Sequence, residues 1–547
     1  MLSVLFQYLN VYIKVIPGCI NKGLNICVNL YIRGGLTIKV DMVLVVNFGG
    51  QYAHLISRRL RELNIYTEVV SHRNLKSVIA QKNVKALILS GGPASVYDNE
   101  EDIKNLDFIL NLNIPVLGIC YGHQLLAKLV GGDIRRGKGE FGRTEIKILK
   151  DDPLFKGWEQ KENVWMSHRD YVAELPEIAE VLAISERDYI AAFKLKNRPI
   201  YGVQFHPEVH HTAKGRKLLN NFIEVSNIKK RWKLKNIVED IINYISKTIE
   251  PNAKALAAIS GGIDSTVAAV LVKKVIGDRL VPVLVDHGLF RKGEVEESIK
   301  CLRKIGLEPI VVDARERFLK KLWGTRDCEE RRRIIGNTFA EIFSELAEED
   351  SNIKYLVQGT TYPDVIESGH VEKADKIKSH HNVAALPSWL KLKVVEPLKF
   401  LYKDEVRRIA KIIGVPDEII SKHPFPGPGF AVRVIGVFTP EKLEISRNAS
   451  KILEDELRKE GLYNDVWQAF AVVGDDTWVG VKGDSRDVGY IVTLRIVVSE
   501  DAMTADWYRI PYDVLDRVSR RIVSELDRVT MVTYAISSKP PSTIEPC

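Results

Sequence analysis

The sequence predicts an α/β protein: two doubly wound α/β domains followed by a small α+β domain. Three observations carry this. Short apolar runs alternate with amphipathic stretches from Met42 onward, and the alternation restarts after a break in character near residue 228, the pattern of parallel sheets with crossover helices. Glycine-rich turns stand at the ends of the apolar runs, just before helices, where open α/β sheets bind ligands. Finally, His423-Pro424-Phe425-Pro426-Gly427-Pro428-Gly429 interrupts any helix and precedes a stretch of mixed strand and helix patterns. A length of 547 residues, at about 150 per domain, agrees with three or four domains.

In order along the chain, a strand at 43–46 leads into a helix at 53–63, with Leu55, Ile56, Leu60 and Leu63 at helical spacing. Strands at 86–89 and 115–119 end at Ser90-Gly91-Gly92-Pro93 and at Cys120. The basic link Lys229-Lys230-Arg231-Trp232-Lys233 reads as a solvated helix start. The second unit repeats the alternation, with strands at 255–259, 281–285 and 309–313 and helices at 266–276 and 295–305. A strand at 490–498 and a helix at 512–527 complete the α+β region. The expected division is 1–41 as an extension outside the folded domains, then domains at 42–227, 228–425 and 426–547.

Composition excludes disorder and fibrous repeats: 45% of residues are hydrophobic and 27% charged. Lys plus Arg number 79 against 71 Asp plus Glu, a net charge of +8. Dispersed over the chain, this permits an anionic substrate without calling for nucleic acid. Six cysteines, none in a C-x-x-C pair, suggest neither a disulfide framework nor a zinc site and fit a reducing, cytoplasmic compartment. Residues 1–41 hold no apolar run near the 20 residues of a membrane span and no clear signal peptide. A chain starting at Met42 is therefore expected to match the full chain in activity and thermal midpoint. A midpoint several degrees lower would instead reveal an added edge strand from 11–16 or 25–32.

Two constellations carry chemistry. Gly118-Ile119-Cys120-Tyr121-Gly122 sits between a strand and a helix, the setting of a nucleophile elbow. The helix start favours a thiolate and supplies N–H groups to an oxyanion. Val203-Gln204-Phe205-His206-Pro207-Glu208 offers a base and its orienting partner, because residues i and i+2 of an extended segment share a face. The second constellation, Ser260-Gly261-Gly262-Ile263-Asp264-Ser265, also links a strand to a helix but lacks the closing G-K-[ST] of a Walker A loop. Its glycines, hydroxyls and helix N-terminus suit a phosphate chain. Asp264 would repel that chain unless a cation lies between them, which implies Mg²⁺.

The first set resembles the class I (triad) glutamine amidotransferases and the second the N-type ATP pyrophosphatases. Arg331-Arg332-Arg333-Ile334-Ile335-Gly336, Ile377-Lys378-Ser379-His380-His381-Asn382-Val383, His423 through Gly429 and Ser538-Lys539-Pro540-Pro541-Ser542-Thr543-Ile544-Glu545 extend the likeness to the glutamine-hydrolysing GMP synthase family over 43–545. The resemblance implies that Cys120 is the nucleophile, His206 the base and Glu208 its partner. It implies that Gly91, Gly92, Tyr121, Gln124, Ser167 and His168 supply oxyanion donors and the glutamine pocket. By the same likeness Ser260 through Ser265, Val285 and Asp286 bind ATP with Mg²⁺ at Asp264, and Lys378, His380 and His381 form a lid. The resemblance further implies that Arg332, Asp484, Lys539 and Glu545 bind xanthosine monophosphate (XMP) and that the last domain makes a homodimer. The expected reaction is amination of XMP to GMP, with ATP cleaved to AMP and pyrophosphate.

Three stretches depart from the family pattern. Asp-Phe-Gly-Ser-Gln is Asn47-Phe48-Gly49-Gly50-Gln51 here, Ser-His-Gly-Asp is Ser167-His168-Arg169-Asp170, and Ile-Glu-Trp-Glu is Ile544-Glu545-Pro546-Cys547. Two rival readings are a different carbonyl acceptor and a nucleotide-sensing or nucleic-acid-binding protein with vestigial sites. The second would leave gaps in the motif residues, and the sequence has none.

Overall fold

A computed structural model describes residues 11–12, 31–32, 41–50, 52–98, 104–369, 391–482, 484–499, 504–539 and 541–547. The chain divides into two compact units, Ile38–Asn236 and Ile237–Cys547 together with Met1–Thr37. Strands β1 (Val11–Tyr12) and β2 (Tyr31–Ile32) pair antiparallel with each other. The rest of the expected 1–41 extension, apart from Asp41, lies outside the described residues.

The Ile38–Asn236 unit is built on one nine-stranded sheet. Strands β3 (Met42–Asn47), β4 (Tyr66–Ser71), β5 (Val84–Leu89) and β6 (Val116–Ile119) are parallel, as the sequence predicts. Four further strands, β7 (Asp133–Ile148), β8 (Lys161–Glu174), β9 (Ala179–Ser185) and β10 (Ile190–Leu195), form an antiparallel half that the apolar runs did not reveal. Strand β11 (Ile200–Val203) joins the halves, parallel to β6 and antiparallel to β10. Helix Ala53–Glu62 lays Ala53, Ile56, Ser57 and Leu60 on the sheet, the i, i+3, i+4, i+7 spacing of a core-facing stripe. The basic residues of the link are exposed ahead of a helix, as expected, while Trp232 among them is buried: its ring lies tilted against Tyr66 with centroids 4.8 Å apart and carries the Arg61 guanidinium 5.0 Å from its centre.

The second unit holds a five-stranded, wholly parallel sheet in the order β14-β13-β12-β15-β16. These are β12 (Lys254–Ala258), β13 (Leu280–Asp286), β14 (Ile310–Asp313), β15 (Ile353–Val357) and β16 (Lys393–Val395). Its core joins Leu256, Val283, Phe318, Ile335 and Leu356 to Phe430, Ala431, Val434, Phe438 and Leu443. The Pro/Gly-rich segment therefore leads into this core, and the apolar residues change allegiance only past Leu443. From Ile445 a second core, including Leu453, Leu494, Ile496, Val518 and Ile522, packs helices Pro440–Lys459 and Tyr512–Glu525 onto a small sheet. That sheet pairs β17 (Gln468–Lys482), β18 (Ser485–Val498), β19 (Asp506–Trp507) and β20 (Val529–Tyr534). Helix Pro440–Lys459 starts where it does because the Thr439 side chain accepts from the Lys442 N–H and proline fills the first turn.

One expectation is overturned. Cys328 and Cys547 form a disulfide, with Cα atoms 5.9 Å apart and a sequence separation of 219. Scattered spacing hides a pair that tertiary folding brings together, so cysteine usage no longer argues for a reducing compartment. Among the described residues, Cys120 and Cys301 are free and buried. No helix among these residues is long and apolar enough to cross a membrane.

Candidate active sites

Cys120 caps helix Tyr121–Leu129 with φ 53° and ψ −102°, a backbone conformation rare for a residue with a Cβ. The flanking glycines allow it. A Cβ at Gly118 would collide with the Gly122 carbonyl, and one at Gly122 with the Leu89 carbonyl. The turn holds the sulfur at the helix start, 3.7 Å from the Ser167 carbonyl. His206, just past β11, interacts electrostatically with that sulfur, and its Nδ1 lies 2.7 Å from Glu208 Oε1. Both partners are buried. Burial alone would lower the His206 pKa, but the Glu208 carboxylate and the Cys120 sulfur overcome it and hold the imidazole well above its ordinary value.

Gly91 stands against both catalytic candidates. A Cβ there would lie 3.3 Å from His206 Cε1 and 3.7 Å from Cys120 Cβ, so the Ser90–Pro93 turn faces the sulfur as an oxyanion turn should. Gly50, where the family has serine, packs so closely on the Gly91 and Gly92 backbone that any Cβ would displace it. Gln124 Nε2 donates to the Asp170 carbonyl at 2.6 Å and to Gln204 Oε1 at 3.2 Å. His168 is buried between the Asp170 carbonyl and Glu140 Oε2, at 2.9 and 3.1 Å. Arg169 is exposed beside it. Tyr121 is buried in the elbow, and Ser167 is exposed. Glu140 is a contributor that sequence reasoning missed, because β7 shows no apolar run to mark it.

Glu208→Gln tests the pair. The variant keeps the shape and removes the charge, so glutamine hydrolysis is expected to fall about 10²- to 10⁴-fold. A raised folded-state pKa stabilises the unit fully below the unfolded value of about 6.5 and loses that contribution as pH rises through the folded value. The thermal midpoint of wild type should therefore exceed that of the variant most below about pH 6, with the gap closing as the medium becomes alkaline. Glutamate release and thermal melts across pH check both statements.

The second site is a cleft of about 340 Å³ at the ends of β12, β13 and β15. Its lining includes Ser260, Gly262, Ile263, Asp264, Ser265 and Val285. Ser265 Oγ accepts from the Ser260 N–H at 3.2 Å and lies 3.2 Å from Ser260 Oγ, which holds the loop curled. Gly261 (φ +74°) lies instead against Ser298, where a Cβ would clash. The Asp286 carboxylate accepts from the Gly288 N–H at 3.0 Å and lies 3.6 Å from Arg315 Nε, so it shapes the turn after β13. Asp264 Oδ1 is buried without a hydrogen-bond partner. Burial raises the Asp264 pKa, Lys403 and Arg407 pull it down, and Asp364 pushes it up. A buried, unpartnered carboxylate oxygen beside a second carboxylate fits a divalent cation held with a phosphate chain. Lys403 and Arg407, both in the cleft wall, were missed because helix Lys403–Ile413 carries only an amphipathic pattern. His423 is stacked on Tyr463 and bonded to its carbonyl at 2.8 Å. Burial lowers its pKa to about 4, so it is neutral.

The expected XMP residues are partly gathered. Arg332 donates to the Cys547 carbonyl at 2.6 Å, and Glu545 pairs with buried Arg433 at 2.9 Å and accepts from Gln468 at 2.5 Å. Lys539 bridges Ala505 through the backbone in both directions. Asp484 is exposed in the turn after Lys482, with φ 62°. Lys378, His380 and His381 lie outside the described residues.

Comparison with known proteins gives the family of the chain. Residues 44–225 match glutamine amidotransferase class-I, 233–343 match NAD synthase, and 455–546 match the GMP synthase C terminal domain. The chain is 58% identical to the glutamine-hydrolysing GMP synthase of Pyrobaculum aerophilum, over 93% of this chain and 100% of that one. It is 51% identical to that of Aquifex aeolicus, over 92% and 99%. It is 50% identical to that of Aeropyrum pernix, over 93% and 99%.

Proposed function

The chain belongs to the glutamine-hydrolysing GMP synthase family, a glutamine-dependent ligase, and on that premise we propose how its two sites divide the synthesis of GMP. The observation that carries the proposal is the pairing, in one chain, of a Cys120–His206–Glu208 constellation with an orphaned Asp264 oxygen over a serine–glycine loop.

At the first site the Cys120 sulfur attacks the side-chain amide carbon of glutamine. His206 takes the thiol proton and delivers it to the departing nitrogen, while Glu208 fixes the imidazole and stabilises its charge. Backbone N–H groups near Gly91, Gly92 and Tyr121 stabilise the oxyanion. Ammonia leaves, and water hydrolyses the γ-glutamyl thioester. At the second site the Ser260–Ser265 loop and the start of helix Ile263–Ile276 hold ATP's phosphates. Magnesium, when bound with ATP, supplies charge neutralisation on the phosphates; Asp264, with Asp364 beside it, would hold it. Lys403 and Arg407 add positive charge to the wall. The C2 oxygen of XMP attacks the α-phosphorus, pyrophosphate leaves, and ammonia then displaces AMP to give GMP. Arg332, Asp484, Lys539 and Glu545 hold XMP. The enzyme is read as cytoplasmic and homodimeric, the latter supported by exposed Trp478, Val479, Val481 and Val488 on β17 and β18.

The test is GMP formation from XMP, ATP and Mg²⁺ with glutamine and with ammonium. Product with both nitrogen sources supports the scheme. Product with neither, from folded protein, overturns it.

A further inference from the structure

The segment 541–547 forms no helix or strand, and its residues are exposed or half-buried. Such a segment contributes no apolar core and frays unless tied down. It is tied at three places. Arg495 donates to the Thr543 carbonyl at 3.0 Å. Glu545 is held by Arg433 and Gln468. Cys547 is joined to Cys328 and accepts through its carbonyl from Arg332.

The far anchor is not a passive one. Cys328 opens the 22-residue helix Cys328–Glu349. The same helix sends Arg331, fully buried, to the carbonyls of Ala431, Val434 and Gly436. Further along, Gly336, Phe339 and Phe343 line the nucleotide cleft. The disulfide thus joins the segment bearing Glu545 to the helix that walls the cleft.

We propose that Cys328 and Cys547 form a reversible redox clamp that seats the 541–547 segment and tightens binding of the acceptor nucleotide. The affinity half of the proposal rests on reading Glu545 and Arg332 as XMP-binding residues; the clamp itself does not. Closure is thiol–disulfide exchange with a low-molecular-weight disulfide such as glutathione disulfide. One protein thiolate attacks a sulfur of that disulfide, forming a mixed disulfide and releasing one thiol. The second protein thiolate attacks the protein-side sulfur, forming the Cys328–Cys547 bond and releasing the other thiol. Two electrons pass to the oxidant, and the two thiol protons end on the released thiols.

The experiment uses the full chain, wild type and Cys547→Ser, with Cys328→Ser as a second variant. Each is equilibrated with glutathione disulfide or with dithiothreitol, and synthesis is driven by ammonium so that the state of Cys120 is irrelevant. Oxidised wild type should lose two hydrogens in mass and protect Cys328 and Cys547 from maleimide. Its thermal midpoint should lie several degrees above the reduced form, as for other cross-links closing long loops. On reduction the KM for XMP should rise about tenfold, a usual coupling between sites, with kcat and the KM for ATP unchanged. Both serine variants should keep the midpoint and the KM for XMP of reduced wild type in either buffer, their remaining cysteine going no further than a mixed disulfide with glutathione. Free thiols at both positions after oxidation, or a KM for XMP indifferent to thiol state and to both substitutions, would overturn the proposal. If no form makes GMP, the functional reading fails, and mass, protection and midpoint still decide whether the clamp forms.

Discussion

Asp264→Asn is expected to abolish GMP synthesis with glutamine and with ammonium alike, by about 10³-fold or more, the scale of removing a group that neutralises phosphate charge. Glutamine hydrolysis at Cys120 should persist, because that chemistry is housed in the other compact unit. A second readout separates lost chemistry from lost folding. Burial raises the Asp264 pKa, so ionising it costs folding free energy. With a folded pKa above the unfolded one, this cost appears as pH rises from the ordinary carboxylate range through the raised value and persists at neutral pH. Asparagine removes that cost. Without magnesium, the variant should melt at or above the wild-type temperature at pH 7. Full synthetic activity in the variant would reduce Asp264 to a helix-start residue.

Cys120→Ala is the complementary case. Glutamine-dependent synthesis should fall on the order of 10⁴-fold or more, because no other group can carry the thioester. Ammonium-dependent synthesis should be unchanged within error. Alanine keeps the Cβ and hence the φ 53° conformation, so the elbow itself is not relieved and the comparison isolates the sulfur. Equal loss of both activities in a folded variant would mean that the sites are not chemically separable.

What was legible in the sequence follows from how each part is buried. Strands β3, β5, β6, β12 and β13 are covered on both faces, so they read as continuous apolar runs, and the elbow and phosphate loop sit at their ends. Strands β7 and β8 alternate between buried and exposed positions and carry Arg135, Arg136, Lys138, Glu140 and Arg143. Their apolar content is too thin to announce them, and with them went the Glu140 support of His168. Short motifs could place Cys120, His206 and Asp264, because turn geometry is local. Lys403, Arg407, Arg433 and the Cys328–Cys547 pair are brought in by tertiary packing, which leaves no mark on neighbouring residues. Glu545 shows the limit of likeness: the family pattern marks the residue, and only the fold shows that Arg433 already holds its carboxylate.

The place of β11 in its sheet has a consequence for birth on the ribosome. Ile200–Val203 is the last strand of its unit to be synthesised, yet it lies in the middle, between β6 and β10. Until it emerges, the parallel and antiparallel halves have no shared seam, and a nascent chain must hold an open slot between them. Such long-range insertion is a late event. His206 and Glu208 follow immediately behind that strand, so the proposed base arrives only as the seam closes. A chain stalled or truncated before residue 206 can therefore display the Cys120 elbow without the residues proposed as its base and orienting partner.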